Sequence, residues 1–372
     1  MNKQLRTAAL LCLLSGSLLS CRAAKTWKAS DYASELTFSA AQWAAGIRVL
    51  QITDTHYSMV ADFAKEVAYL KALAKNTGAQ MIISTGDNIQ FATHETVRMC
   101  YRALDEVGLP YALIWGNHDQ QGTYDAHYPG KVSQQHPLSL YKEVDDDIYG
   151  ESNYLVNLKQ EGSDLPLFQL YGLDSGSLYN QGFKDGYEVL HDDQIAWFKS
   201  MADSYKTGGS YIPNLAFFHI GLWETEYAYR LATGKTDRGD HPGTVTAFSG
   251  EMREKTWTPS PELGETSVYV GYRRTPMFLE AEKVNTKAIL FGHDHINNFA
   301  AKYYIDPARS GDPITLLYGL KTGHGLYYDE DMIGGNLLTI HADGSIDYRR
   351  AYQHYAENYD SGAGFDGLKE VF

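Results

Sequence analysis

The chain has 372 residues, 44% of them hydrophobic and 21% charged, a globular composition with ample material for a buried core. A formal net charge of −14 excludes the basic footprint that nucleic acid or an anionic membrane surface would need. Three cysteines, Cys12, Cys21 and Cys100, exclude a disulfide framework.

Residues 1–20 read as a signal peptide. Lys3 and Arg6 supply a positive start, and Thr7 to Leu19 is an apolar run too short to span a bilayer as a mature anchor. It leads into Leu18-Leu19-Ser20-Cys21, which resembles the lipobox of bacterial lipoproteins. That resemblance implies cleavage before Cys21 and a lipid on its thiol. The expected location is extracytoplasmic and membrane-anchored, in the periplasm or at the cell surface, with membrane contact through the lipid alone. An ordinary or membrane-retained secretory signal is the alternative. Losing Lys3 and Arg6 makes the remaining body still more acidic. Cys100 shares a helical face with Val97, Tyr101 and Leu104 and reads as a small core residue. Residues 21–45 read as a tether with a first strand near Glu35 to Phe38, residues 46–356 as the folded body, and 357–372 as a C-terminal tail.

Ile47 to Thr53 is an apolar strand running into Asp54-Thr55-His56. Val60, Phe63, Val67, Leu70 and Leu73 then recur at helical spacing until Gly78. Met81-Ile82-Ile83 runs into Gly86-Asp87-Asn88, and Thr93 opens a helix closed by Gly108 and Pro110. Tyr111 to Trp115 runs into Gly116-Asn117-His118-Asp119, completing a βαβαβ rhythm. Residues 120–165 are polar and read as mostly irregular, with strands resuming at Tyr154 to Leu158 and Leu167 to Leu173. A helix carrying Ile195, Phe198, Met201 and Tyr205 precedes the strand Leu215 to Phe218, which ends in His219. A second irregular stretch spans Trp223 to about Thr275; its Trp223, Tyr227 and Tyr229 read as loop packing, with substrate contact as the alternative. Ala288-Ile289-Leu290-Phe291 then runs into Gly292-His293-Asp294-His295. Ile314 to Tyr318, Asn336 to His341 and Ile346 to Tyr352 follow as antiparallel strands, the last two joined at Asp343-Gly344.

Five apolar strands thus end in Asp54/His56, Asp87, Asn117/His118, His219 and His293/His295, as if at one end of one sheet. A hydrogen-bonded core histidine explains any one of these but not the shared position. Oxygen and imidazole donors without thiolate point to Zn, Mn or Fe. There are too many donors for one ion. Two ions about 3.5–4 Å apart clamp the attacking and leaving oxygens of an in-line displacement and acidify a bridging water to hydroxide. Phosphate ester hydrolysis, with its high uncatalysed barrier, needs this most.

The ordered set Asp54-x-His56, Gly86-Asp87, Gly116-Asn117-His118-Asp119, His219 and Gly292-His293-x-His295 resembles the complete motif set of the calcineurin-like metallophosphoesterases. The resemblance implies an α/β fold of two packed mixed β-sheets flanked by helices, with a dimetal site at strand carboxyl ends. It implies that Asp54, His56 and His295 hold one metal and Asn117, His219 and His293 the other, with Asp87 bridging. It makes His118 a catalytic proton donor and Asp119 a support for His118 or for a metal ligand. The expected substrate is a small phosphorylated molecule, a monoester before a diester such as a nucleotide or glycerophosphodiester, with a non-catalytic binding lipoprotein as the remote alternative; charge argues against nucleic acid, and no protein partner is implied. The protein-phosphatase pattern Gly-Asp-x-x-Asp-Arg-Gly is missing at Gly86 to Phe91, and Gln90 stands where purple acid phosphatases carry a tyrosinate ligand. With Leu173-Asp174-Ser175-Gly176 and Tyr318-Gly319-x-x-Thr322-Gly323, the wording is similar to a tyrosine-lacking branch related to purple acid phosphatases. His127, His136, His191, His241 and His354 read as surface residues; His324 could also reach the site mouth, and Asp294 reads equally as a solvated or supporting residue or as a functional one.

Overall fold

The computed structural model describes residues 27–59, 62–122, 124–142, 148–181, 184–235, 241–253, 269–356 and 363–372. The signal peptide and Cys21 lie outside these. In chain order the strands are β1 (Ala33–Phe38), β2 (Ile47–Ile52), β3 (Met81–Ser84), β4 (Tyr111–Leu113), β5 (Tyr154–Gln160), β6 (Pro166–Gly172), β7 (Leu178–Gln181), β8 (Lys184–Tyr187), β9 (Asn214–Phe217), β10 (Thr244–Ser249), β11 (Thr286–Phe291), β12 (Ala300–Tyr304), β13 (Ile314–Tyr318), β14 (Gly334–Ile340), β15 (Ile346–Gln353) and β16 (Phe365–Glu370). The helices are α1 (Ala29–Tyr32), α2 (Ala40–Ala45), α3 (Phe63–Thr77), α4 (His94–Val107), α5 (Tyr128–Ser133), α6 (Asp192–Ser204), α7 (Trp223–Thr233) and α8 (Met277–Lys283).

Two mixed sheets pack together, with helices on their flanks. One has the order β16-β15-β14-β2-β3-β4, the other β1-β5-β6-β9-β11-β13-β12-β10. The β2, β3 and β4 neighbours run parallel, as do β6, β9, β11 and β13. Leu215, Phe217, Leu290 and Leu317 share a core with Val49, Ile83 and Leu338 of the other sheet. Their alternate neighbours Ala216, Phe218, Ile289, Phe291 and Leu316 pack against Phe198, Met201, Met277 and Phe278. Side chains alternate between faces, so a strand covered on both sides reads as an unbroken apolar run. That explains why the strands were visible in sequence and their division between sheets was not.

Helix ends follow local chemistry. Thr93 Oγ1 accepts the Thr96 backbone N–H at 3.2 Å, and Gly108 ends α4 in the left-handed conformation at φ 79°. Such a cap is worth about 1 kcal/mol.

Several expectations are corrected. The ligand-bearing strands do not share one sheet: β2, β3 and β4 belong to one and β9 and β11 to the other. The irregular stretches contain α5, α7 and β10. The stretch read as a tail supplies β16, which pairs antiparallel with β15 from Arg349↔Glu370 to Gln353↔Phe365. The first strand begins at Ala33, is preceded by α1, and pairs parallel with β5.

Candidate metal centre

The backbone beyond the strands aims the side chains. Asp54 N donates to Gly86 O at 2.9 Å and His56 N to Asp87 O at 3.0 Å, carrying the β2–β3 pairing past its last rungs. Among the described residues seven non-glycine positions have positive φ, and four are Asp54, His56, Asp87 and His293. Left-handed backbone costs a β-carbon residue about 1 kcal/mol or more, so it persists only where surrounding bonds over-determine it. Gly292 allows one close approach: a Cβ there would stand 2.0 Å from Thr53 Oγ1.

These turns assemble two donor groups. Asp54, His56, Asp87 and His295 form one, and Asp87, His219 and His293 the other, each with its donor atoms within 4.8 Å of one another. Asp87 belongs to both. The first takes three donors from the loops of β2 and β3 and one from β11; the second adds β9 and β11 to Asp87. Nε2 of His56 lies 3.0 Å from Nε2 of His295, and Nδ1 of His293 lies 3.3 Å from Nε2 of His219. His219 Nε2 is 3.2 Å from Asp87 Oδ2, and His295 Nε2 is 3.3 Å from Asp54 Oδ1.

The surrounding bonds select which atoms face inward. His219 Nδ1 is 2.9 Å from Thr85 O and His295 Nδ1 2.9 Å from Tyr327 O. A carbonyl only accepts, so Nδ1 carries the proton in each ring and Nε2 keeps its lone pair for the centre. Asp54 Oδ2 accepts from Thr53 Oγ1 at 2.7 Å and from His293 N at 3.1 Å, whereas Asp54 Oδ1 has no hydrogen-bond partner. Asn117 Oδ1 is buried without one as well. Buried oxygens left unbonded are costly, and facing imidazole nitrogens need something between them. The residues fit a pair of cations.

Charge points the same way. Burial opposes ionisation of Asp54 and Asp87, but the imidazoles of His295 and His219 outweigh it and hold both carboxyls below their usual range. Burial opposes a charge on His219 too, yet Asp87 pushes its pKa up to about 9. His293 is pushed down to about 3 by burial and by His219. His56 and His295 are lowered by burial and then by Lys321.

Lys321 is a functional neighbour that sequence reasoning missed. It is buried and donates from Nζ to Asp54 O at 2.7 Å. Thr322 N donates to Thr53 O at 2.9 Å and Thr322 Oγ1 accepts from Thr53 N at 3.2 Å, so this loop clasps the Asp54 turn. The signal available was position, two residues past the Gly319 of a quoted motif.

His118 is partly buried; its backbone N–H reaches Asp87 Oδ1 at 2.8 Å and its ring packs on His56 with centroids 5.1 Å apart. Asp119 braces the turns on either side of it. Its carboxylate accepts from Gly116 N at 2.7 Å, Ile89 N at 2.8 Å, and Asn88 N and Nδ2 at 3.2 and 3.1 Å. It locks the Asp87 turn to the His118 turn, and burial with the nearby Asp87 charge pushes its pKa up to about 7. Asp294 is buried, accepting from Tyr318 Oη at 2.5 Å and Asn297 Nδ2 at 3.1 Å.

Other candidates lie elsewhere. His324 pairs with Glu66 at 3.0 Å among the rings of Tyr69 and Tyr355. Trp223, Tyr227 and Tyr229 stand on α7, where Trp223 Nε1 donates to Gly271 O and Tyr229 packs on Phe299. His136 is largely buried, paired with Asp105 at 2.6 Å and stacked on Tyr101, so the surface reading fails for it.

Residues 47–297 match the family model described as calcineurin-like phosphoesterase. Phosphatase DCR2 of Saccharomyces cerevisiae is 27% identical over 257 residues, which cover 64% of this chain and 39% of that protein. Probable inactive purple acid phosphatase 28 of Arabidopsis thaliana is 25% identical over 293 residues, 68% of this chain and 66% of the relative. The chain thus spans less than two thirds of the length of these curated relatives. Among solved structures, purple acid phosphatase PPD1 from yellow lupin seeds aligns over 87% of this chain and 52% of its own at 12% identity, with a TM-score of 0.44.

Proposed function

This chain belongs to the calcineurin-like phosphoesterase family, and from that premise we propose that it is an exported, lipid-anchored hydrolase of small phosphate esters using two metal ions. The observation that carries this reading is Asp87, one buried carboxylate common to both donor groups, in company with the orphaned oxygens of Asp54 and Asn117. Asp54, His56, Asp87 and His295 hold one ion; Asp87, Asn117, His219 and His293 hold the other. Mn, Zn or Fe suits such donors. When bound, the pair supplies Lewis-acid charge for phosphoryl oxygens and a lowered pKa for water.

The chain's own groups do the rest. His118 gives a proton to the leaving oxygen, and the bond from its backbone to Asp87 ties the position of that ring to the shared carboxylate. Asp119 fixes both turns, and Lys321 and Thr322 hold the Asp54 turn from behind. One relative's name includes "probable inactive"; here six carboxylate and imidazole donors gather in two groups that share Asp87, which supports an active centre.

The test is hydrolysis of p-nitrophenyl phosphate against bis-p-nitrophenyl phosphate by chain loaded with Mn, Zn or Fe, beside Asp87→Asn. Monoester turnover that is lost in the variant is expected. Diester preference would make it a phosphodiesterase, and bound metal without turnover of either would overturn the hydrolase reading. Among the described residues no helix is long and apolar enough to cross a membrane. Attachment in this reading rests on Cys21, and Cys21→Ser should release the protein from the membrane fraction; a wild-type chain found soluble in the cytoplasm refutes the anchor.

A further inference from the structure

Large apolar side chains are seldom held in water on strained backbone, yet two stand so beside the donor cluster. Phe91 is 68% exposed at φ 55°, and Leu326 is 41% exposed at φ 60°. Both are left-handed conformations that favour glycine. An exposed side chain returns little to folding, so stability gives no reason to keep either residue there. Met59, 64% exposed, and Tyr327, 44% exposed, stand close by in sequence to His56 and Leu326.

The backbone brings these four together. Gln90 N donates to Tyr57 O at 2.9 Å and Tyr57 N to Asn88 O at 2.9 Å, laying the turn after His56 beside the turn after Asp87. A Cβ on Gly325 would lie 2.8 Å from His56 Cβ, so the loop bearing Leu326 and Tyr327 rests on the same histidine. Tyr327 also stacks on His295 at 4.4 Å between centroids. Leu326 and Tyr327 therefore border the His56–His295 edge of the cluster, and Met59 and Phe91 end the two adjacent turns that carry His56 and Asp87. That edge is also where His118 packs.

We propose that Met59, Phe91, Leu326 and Tyr327 form an apolar subsite for the leaving group, and that the substrates are phosphate monoesters of alcohols with a hydrocarbon body several carbons long. The inference rests on the function proposed above, in which His118 protonates the leaving oxygen and so marks the side on which that group departs. Water oxygen joins phosphorus keeping one hydrogen, the phosphorus–alkoxy bond breaks, the alcohol leaves with the proton from His118, and the water's other proton passes to solvent, from which His118 is reprotonated. None of the four side chains carries a charge, so the subsite offers no cation to pair with a second phosphate. Met and Leu give it adaptable, aliphatic walls.

The test is kcat/KM of the metal-loaded full chain on n-alkyl phosphates from ethyl to octyl, whose leaving-group acidity is nearly constant. A rise of up to about fourfold per methylene is expected until the subsite is filled. Glycine suits the backbone at both strained positions, so the Phe91→Gly, Leu326→Gly double variant should fold. Its octyl-to-ethyl ratio should fall at least about tenfold. Ethyl phosphate turnover with a flat series overturns the subsite, as does a slope that survives in the double variant. A flat series with binding of lipid-free chain to phosphatidylglycerol vesicles also overturns it and gives the rim to a membrane. No turnover of any ester, p-nitrophenyl phosphate included, removes the proposed function itself and this inference with it.

Discussion

A methyl group added at Gly116 would stand 2.3 Å from Asp87 Oδ1, 2.4 Å from Asp87 N and 2.8 Å from His219 Cδ2. Carbon contacts settle near 3.5 Å, so the Asp87 turn or the Gly116 turn must shift by about 1 Å. Neither yields easily. Asp87 Oδ1 is held by His118 N at 2.8 Å, and Gly116 N is held by Asp119 Oδ2 at 2.7 Å. Overpacking of this kind costs about 1–3 kcal/mol, which a chain of this size survives. A displacement of about 1 Å at the reacting centre costs far more, on the order of 10²-fold in rate. Gly116→Ala is therefore expected to fold, to lose one or both ions, and to drop about 10²-fold in kcat/KM. Metal content, kcat/KM and a thermal melt would be measured beside Gly311→Ala, where an added Cβ meets nothing within 4 Å. A Gly116→Ala protein that keeps two ions and stays within about threefold of wild-type kcat/KM would refute the reasoning.

Asp119→Asn turns an amide toward backbone N–H groups and should cost about 1–3 kcal/mol with weaker metal loading; an unchanged melting temperature would dismiss that role. Ions that bind only the folded chain stabilise it by about 2.7 kcal/mol per site at a free concentration 100 times the Kd. A chelator should therefore lower the melting temperature of the loaded wild type and leave Asp87→Asn nearly unmoved; equal shifts would count against the shared-carboxylate centre. His354 Nε2 lies 2.7 Å from Asp366 Oδ2, which raises the histidine's pKa and ties β15 to β16. A raised histidine pKa adds stability that is full below the unfolded value near 6.5 and is lost as pH rises through the folded value. Deuterium exchange at residues 365–370, corrected for intrinsic rate, should quicken across that window, and Asp366→Asn should abolish the dependence.

The ligand positions were legible because each follows an apolar run at a break. Ile52, Ser84, Leu113, Phe217 and Phe291 end their strands within a few residues of a donor. The division into two sheets left no mark in the residues, since strands such as Ile289-Leu290 bury both faces and do not name their neighbours. The α7 helix opened with Trp223-Glu224-Thr225-Glu226, whose buried Glu224 breaks the expected polar face and is answered by Arg274 at 2.6 Å from a distant stretch of the chain. The β16 strand is a short edge segment interrupted by Gly367, too weak a pattern to stand out. Lys321 was invisible for a physical reason: one lysine after an apolar strand reads as surface, and only the fold shows its ammonium group buried against Asp54 O. The left-handed turns at Asp54, His56, Asp87 and His293 have no sequence signature at all, because each violates local preference for the sake of aim.

Neither donor group belongs to a single sheet. His295 completes the cluster of Asp54, His56 and Asp87, and Asp87 completes that of His219 and His293. The span between the two metal positions is thus measured by the hydrophobic layer that keeps the sheets apart, to which one sheet gives Leu290 and Leu317 and the other Val49 and Leu338. A protein interior is nearly incompressible, which makes that layer a ruler. One methylene more or less at Leu290 would recalibrate the catalytic centre without touching any residue that binds, donates or accepts a proton. The spacing of the two donor groups is in that sense written partly in core packing.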